Sequence, residues 1–206
     1  MISMEMENSA AKLLFLRYAL PSTVGRVGEL GSCSGDVITA SKADPALVDQ
    51  VSHGVLPDID LRSNFRVASA WCELIAKEMR RDSIDKDVIR AYFWLIHNAV
   101  IDRRANLGEK FDHAACRVRF GNIVGVDGEK KTATVETPDG ELTCSTSFLR
   151  DASKGDRVAT HFDYVTERVS PELERRMSSL SGELAGLYRK LDYSPKIGNK
   201  RMKMGV

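Results

Sequence analysis

Apolar positions recur at three- and four-residue steps over the first half of the chain and at every second position from near residue 114. The two periods predict helix and strand respectively. Residues 8–20 read as a first helix with Leu13, Leu16 and Leu20 on one face, stopped by Pro21, which lacks the N–H that would continue the ladder. Gly25, Gly28, Gly31 and Gly35 then mark loop or irregular turn. Asp44 can cap a short helix with Pro45 at its first position, running to about His53 and ending at Gly54. Two stronger helices follow. Phe65, Ala68, Trp71 with Cys72, Ile75 and Met79 form one buried stripe. After the Arg80-Arg81-Asp82-Ser83 break, Asp85 caps a second helix carrying Val88, Tyr92, Leu95, Ile96 and Ala99. The two make an antiparallel pair, with Trp71, Tyr92, Phe93 and Trp94 as bulky core.

In the second half Cys116, Val118 and Phe120 alternate with Arg117 and Arg119, as in a strand with one wet face. Asp127-Gly128 is a hairpin signal with a return strand at Thr132–Thr137. Pro138-Asp139-Gly140 and Gly155-Asp156 are further turns, leading into strands at 141–148 and 157–169. Four or five short strands with tight turns predict a small barrel, since closure removes exposed sheet edges. From Pro171 the helical period returns. Leu173, Met177, Leu180, Leu184, Leu187 and Leu191 form an a/d stripe that either packs back on the body or self-associates with a partner helix. Gly182 and Gly186 weaken that helix by about 1 kcal/mol each relative to Ala.

The expected fold class is therefore α+β: an all-α N-terminal domain over 1–112, a small OB-like β-barrel over 113–170, a C-terminal amphipathic helix over 171–192, and a basic tail without fixed structure over 193–206. With 206 residues, 43% of them hydrophobic, a sizeable core needs no staples, and disorder is excluded as the main state. Thirty Lys and Arg against 29 Asp and Glu leave a net charge of +1, so no global field draws the protein to nucleic acid or a membrane surface. No run approaches a membrane span. The apolar run Leu13-Leu14-Phe15-Leu16 follows Glu5 and Glu7 and is broken by Arg17, unlike a signal peptide. Cys33, Cys72, Cys116 and Cys144 contain no C-x-x-C pair, so a zinc ribbon or redox dithiol is not expected, and reduced thiols in the cytoplasm are. No phosphate loop, G-x-S-x-G or H-E-x-x-H occurs, and Asp58 and Asp60 are too generic to assign, so no enzyme activity is expected.

Two segments carry a resemblance. Cys116-Arg117-Val118-Arg119-Phe120-Gly121-Asn122-Ile123-Val124 opens the barrel, and Gly155-Asp156-Arg157-Val158 leads through His161 to Glu167-Arg168 at its close. The pair resembles the HypC/HupF-type chaperones that assemble nickel–iron hydrogenases, over residues 116–172. Those barrels begin with a Cys, reach a Gly five residues on, and end with a Gly-Asp-x-Val strand bearing a His. Phe15-Leu16-Arg17-Tyr18-Ala19-Leu20-Pro21, Ala70-Trp71-x-Glu73-Leu74-Ile75-Ala76 and Val88-Ile89-x-Ala91-Tyr92-Phe93 resemble a two-part family of unknown function. In that family a helical domain precedes a HypC-like barrel, and its members are associated with hydrogenase gene sets. Here Cys116 is internal rather than N-terminal, and Phe120 stands where the chaperones carry Pro.

The resemblance implies that Cys116 and His161 are candidate metal ligands, holding a transient iron fragment with cyanide and carbon monoxide. The fragment would pass between a HypD-type maturation factor and the hydrogenase large subunit. A soft thiolate suits low-spin iron, and a thiol titrating at about 8.5 asks for a positive neighbour or the metal itself; Arg117, Arg119 and His113 are the candidates. The alternative for Cys116 is a small hydrophobe inside a strand, and for His161 an ordinary hydrogen-bonded strand histidine. His53, His97 and His113 read as surface or helix residues, and Cys33 as a loop cysteine. Three functions compete. The first is a non-catalytic accessory protein for hydrogenase maturation, docking through Cys116, Arg117, Phe120 and His161, with Leu173, Leu180 and Leu187 as a helical docking stripe. The second is a protein–protein interaction module without metal handling. The third is a single-stranded nucleic-acid binder stacking bases on Phe120, Phe162 and Tyr164, against which the neutral charge argues.

Overall fold

A computed structural model describes residues 4–23, 45–106, 113–191, 196–197 and 200–201. The stretch with Gly25, Gly28, Gly31, Cys33 and Gly35 lies outside the described residues, as do Asp44 and most of the basic tail. Helix α1 (Ser9–Ala19) begins where Asn8 accepts the Ala11 amide hydrogen at 3.0 Å, and it passes into a 3-10 turn over Leu20–Thr23. It is buried on nearly every side, with Ala11, Leu14, Phe15, Leu16, Tyr18 and Ala19 inside. Its apolar face is therefore wider than Leu13, Leu16 and Leu20 suggest. Helix α2 (Pro45–Ser52) is followed by Gly54 at φ 73°, the left-handed position that ends a helix most cheaply in glycine. Asp60 caps the short α3 (Leu61–Asn64), accepting the Arg62 and Ser63 amide hydrogens at 3.0 and 3.2 Å.

Helix α4 (Arg66–Glu78) buries Ala68, Cys72, Ile75 and Ala76, with Phe65 and Met79 buried at its two ends, as the periodicity predicts. Trp71 packs at the margin of the core rather than within it. Asp85 accepts the Val88 amide hydrogen at 2.8 Å and starts α5 (Lys86–Arg90). That helix does not stay regular. It widens into a π segment (Ala91–Ile96), closed by the His97 amide hydrogen on the Tyr92 carbonyl, and resumes as α6 (His97–Asn106). Ala91, Tyr92, Phe93, Trp94, Leu95 and Ile96 are all buried. A regular amphipathic helix turns polar residues outward within so long a run, so this segment is central to the core.

The barrel is closed and five-stranded in the order β1-β2-β3-β5-β4, with β1 (Arg119–Asp127), β2 (Thr132–Thr137), β3 (Gly140–Ser145), β4 (Arg157–His161) and β5 (Tyr164–Arg168). Every pairing is antiparallel except β3 with β5, where Ser145 meets Tyr164 in parallel. The α+β class and the small barrel expected from the sequence are thus the architecture. The single strand read over 157–169 is two, because Phe162, at φ 51°, turns the chain between them. Gly121 has no room for a side chain: an added Cβ would run into the Glu136 carbonyl oxygen and lie 2.7 Å from Val135 Cγ1. That close approach of β1 to β2 is the physical content of the glycine five residues after Cys116.

Ser170 caps α7 (Pro171–Glu183), and α8 (Ala185–Leu191) follows after a break at Leu184. The a/d stripe read as one helix is therefore two short ones, interrupted between Gly182 and Gly186. Lys196–Ile197 pairs with Lys200–Arg201 in a minimal ladder. Among the described residues no helix is long and apolar enough to cross a membrane.

The barrel interior holds its own small cluster, Ile123, Ala133, Val135, Cys144, Val158 and Val165. The larger core runs without interruption from α1, α4 and the π segment to Val118, Phe120, Phe148 and Ala159 of the barrel region, and on to Met177, Leu180, Leu184, Leu187 and Tyr188. The helical part and the barrel are therefore packed as one body around shared side chains. A buried polar network crosses this interface. The Arg90 guanidinium holds the Glu167 carboxylate with contacts of 2.8 to 3.2 Å, the Tyr18 hydroxyl donates to Glu167 at 2.8 Å, and the Trp94 indole N–H donates to the Tyr18 hydroxyl at 2.6 Å.

Two stability outcomes follow from these contacts. Gly121→Ala is expected to lose about 2–3 kcal/mol by overpacking, whereas Gly128→Ala, with nothing within 4 Å of the added Cβ, should stay within about 0.5 kcal/mol; urea midpoints compare them. Glu167→Ala leaves the Arg90 charge buried without its acceptor and should cost about 3–5 kcal/mol. A loss of about 0–1 kcal/mol, the range of an exposed ion pair, would show that the network is not the interface's main polar tie.

Candidate metal centre

Three ligand-type side chains converge where the start of α6 meets one end of the barrel. Cys116 Sγ lies 3.8 Å from His161 Nε2 and 3.9 Å from His97 Nε2. The two imidazole rings sit 4.9 Å apart at 89°. All the ligand atoms lie within 4.8 Å of one another, and the group can hold a metal ion. Cys116, His161 and His97 are 0%, 1% and 2% exposed, so the centre is enclosed by protein.

Each side chain is placed by a separate local device. Cys116 does not sit on a barrel strand, as the alternation with Arg117 and Arg119 suggested. The β1–β4 ladder begins only at Arg119 opposite Thr160, and Cys116 lies in the turn before it. The stretch after Cys116 is held by a side chain imitating a strand: Asn98 donates from Nδ2 to the Val118 carbonyl and accepts the Val118 amide hydrogen, both at 2.9 Å. On the other side the Phe162 amide hydrogen meets the Ala115 carbonyl at 3.1 Å. His161 ends β4, with Nδ1 2.6 Å from the Tyr18 carbonyl and Nε2 2.9 Å from the Cys116 carbonyl. His97 is the first residue after the π segment, and its Nδ1 is 3.5 Å from Asn98 Oδ1. Phe93 lines both imidazoles, at 5.6 and 5.9 Å between ring centres.

Burial governs the electrostatics. It pushes His97 well below the ordinary imidazole value, helped by the neighbouring His161 and by Arg117. It lowers His161 to about 4, against the pull of the Tyr18 and Cys116 carbonyls. Both rings are therefore neutral near pH 7, the form that ligates metals. The expected positive neighbours of Cys116 are engaged in ion pairs: Arg117 with Asp102, and Arg119 with Asp139 at 3.2 Å. The other described cysteines are structural in setting. Burial raises the Cys72 thiol strongly and pushes Cys144 up to about 12.

The sequence pointed to Cys116 and His161, and the fold brings them together. It did not point to His97, which belongs to a helix as read but faces the centre. Its signal lay in the run Tyr92-Phe93-Trp94-Leu95-Ile96-His97, too long an apolar stretch for a one-faced helix. His53 is exposed just after α2, beside Arg150 at 2.9 Å, and His113 is not part of the cluster. Of the docking residues, Phe120 packs against Trp94 at 5.0 Å, and Leu180 and Leu187 are buried in this chain's own core. Leu173 and Arg117 keep partial exposure. The stacking aromatics are also occupied at home, Tyr164 with Phe148 at 5.4 Å and Phe162 with Ile101 and Cys116.

No protein-family model, no curated protein and no solved structure matches this chain. The chemistry of the centre is thus read from its own atoms: one soft sulfur and two borderline nitrogens, a donor set for zinc, iron, cobalt, nickel or copper rather than for magnesium or calcium.

Phe162 is the half-buried wall of this centre, 4.9 Å from His161 and in a backbone conformation that aromatic residues rarely adopt. In the native protein Cys116 should resist a bulky thiol reagent for hours and react at once in denaturant. Phe162→Ala should raise its native labelling rate about tenfold or more, read by peptide mass spectrometry. Rapid labelling of native wild-type Cys116 would contradict the enclosed geometry.

Proposed function

We propose that this protein is a non-catalytic accessory protein for nickel–iron hydrogenase maturation, acting in the cytoplasm, in which Cys116 and His161 receive an iron–cyanide–carbonyl fragment as cargo. The observation that carries this reading is the 3.8 Å approach of Cys116 Sγ to His161 Nε2, between residues 45 positions apart that the resemblance to HypC/HupF-type chaperones singles out independently. A thiolate paired with a neutral imidazole is suited to low-spin iron bearing π-acid ligands. Gly121, placed as in those chaperones, is required by the close packing of β1 on β2.

Enclosure shapes how such cargo would move. Among the described residues Ile101 of α6 and Phe162 of the β4–β5 turn cover the sulfur, and a hydrogenase large subunit or a HypD-type factor would reach it by parting them. The partly exposed Arg117 and Leu173 border the surfaces left for a partner. That same enclosure favours the second reading, an interaction module whose barrel is a scaffold without metal handling.

One experiment separates the two. The protein is purified after expression beside the maturation machinery, and its infrared spectrum is recorded. Cyanide and carbonyl stretching bands are expected in wild type and absent in Cys116→Ala, with reduced hydrogenase activity in a strain that depends on this protein. If Cys116→Ala folds and supports full maturation, cargo handling fails and the interaction module stands.

A further inference from the structure

We propose that His97, Cys116 and His161 form a three-ligand site for a resident divalent transition-metal ion of the zinc class, in which the helical half supplies His97 as the ligand that closes the site over the barrel. This does not depend on the cargo reading. It concerns a bare ion, bound without the maturation machinery.

His161 Nδ1 is 2.6 Å from the Tyr18 carbonyl oxygen, and Nε2 is 2.9 Å from the Cys116 carbonyl oxygen. Both are acceptors, and a neutral imidazole carries one N–H. The shorter contact places that hydrogen on Nδ1, which leaves the Nε2 lone pair facing an oxygen in a site closed to water. His97 repeats the arrangement: Nδ1 faces Asn98 Oδ1 at 3.5 Å, and Nε2 faces Cys116 Sγ at 3.9 Å. Two Nε2 lone pairs and one carbonyl oxygen thus surround a thiol with a single S–H. A ring lone pair facing a carbonyl oxygen in the interior is costly. A cation among these atoms removes the conflict.

An ion about 2.3 Å from sulfur and about 2.0–2.1 Å from nitrogen separates the two by about 3.5 Å at a tetrahedral angle. The observed S–N separations of 3.8 and 3.9 Å need to contract by about 0.3–0.4 Å relative to that figure, and the two imidazole nitrogens, within 4.8 Å of each other, need to close toward about 3.3 Å. Metal-bound histidines donate the remaining ring N–H to a carbonyl or amide oxygen, which fixes the tautomer and turns the other nitrogen inward. Tyr18 and Asn98 supply those oxygens here. On binding, Cys116 Sγ gives up its proton to solvent and the two imidazoles ligate as neutral donors, leaving a net charge of +1 on the centre.

The consequence is structural. Cys116 and His161 belong to the barrel and His97 to the helical part, so an ion bound by all three fastens the two together. Cys116 is fully buried, and the helix that faces it offers a ligand of its own, His97.

The full-length protein, purified under reducing and anaerobic conditions from cells lacking the maturation machinery, is titrated with Co2+ as the probe. The expected result is a thiolate-to-cobalt charge-transfer band saturating at one equivalent, intense d–d bands of a four-coordinate ion, displacement by Zn2+, and a higher Tm with Zn2+ than without. Cys116→Ala should lose the charge-transfer band. His97→Ala should weaken binding by about tenfold or more, whereas His53→Ala should leave it unchanged. X-ray absorption on the zinc-loaded wild type, which needs no variant to fold, should count one sulfur and two imidazoles. A count of one sulfur and one imidazole overturns the role of His97, and the absence of a charge-transfer band in wild type overturns the site. Failure to acquire an iron–cyanide–carbonyl fragment bears only on the cargo reading, since no such fragment is present here.

Discussion

Tyr18 is the point on which the rest of the structure depends. Its ring stacks on Phe93 at 4.6 Å, its hydroxyl joins Trp94 to Glu167, and its carbonyl meets His161 Nδ1. One residue of α1 therefore contacts the π segment, the last barrel strand and the metal centre together. Burying the Arg90–Glu167 pair is expensive, because both ions leave water. Several hydrogen bonds share the Glu167 carboxylate, and these offset the desolvation. The burial, and then the carboxylate beside it, hold the Tyr18 hydroxyl well above its ordinary titration range. A network of this kind has little tolerance for sliding. It fixes how the helices sit on the barrel, and so fixes the distance from His97 to the barrel's Cys116.

The π segment solves a related problem. An α-helical run from Lys86 would present one stripe to the core, yet Ala91 to Ile96 are buried on all sides. The extra residue in the π turn rotates everything after it. Tyr92 and Phe93 pack against His97, and Trp94 packs against Phe120 on the barrel. Irregular turns of this type are frequent at functional sites. Here the irregularity ends at the residue whose imidazole faces Cys116, and the next residue, Asn98, clamps Val118 two positions beyond it.

Local rules made much of this legible. Asp85 as a cap, the Phe65 to Met79 stripe, the Asp127-Gly128 hairpin and the return strand at Thr132–Thr137 depend on neighbours within a few residues, and they appear where the periodicity places them. Cys116 and His161 were singled out by a resemblance rather than by spacing. What escaped was non-local or register-breaking. The turn at Phe162-Asp163 carries no Gly, Pro or Asn and a lone Asp is a weak signal inside an alternating run, so 157–169 reads as one strand. The leucine stripe from Leu173 to Leu191 reads as a docking surface because nothing in it says whether its partner is this chain or another; burial of Leu180, Leu184 and Leu187 decides for this chain. His97 was hidden by the shift of register that the π segment introduces. An i, i+3, i+4 pattern has no means of carrying a face across a turn of different period.

The two parts of the molecule differ in how much they can stabilise alone. The barrel interior is a small cluster around Ile123, Val135 and Val165, whereas its outer residues Val118, Phe120, Phe148 and Ala159 belong to the core shared with the helices. Removing the helices would strand that outer face in water. A barrel of this size is thus stable in the company of the helical part, and the enclosure of Cys116 is inseparable from the folding of both. Access to the sulfur is then governed by the segment least committed to either core. Among the described residues that segment is the β4–β5 turn, where Phe162 is half-buried, packs on the minor cluster with Ile101 and Cys116 and against the His161 ring, and occupies a strained backbone conformation. The fold encloses the thiol between α6 and the barrel, and among the described residues it sets a strained aromatic, Phe162, between the centre and solvent.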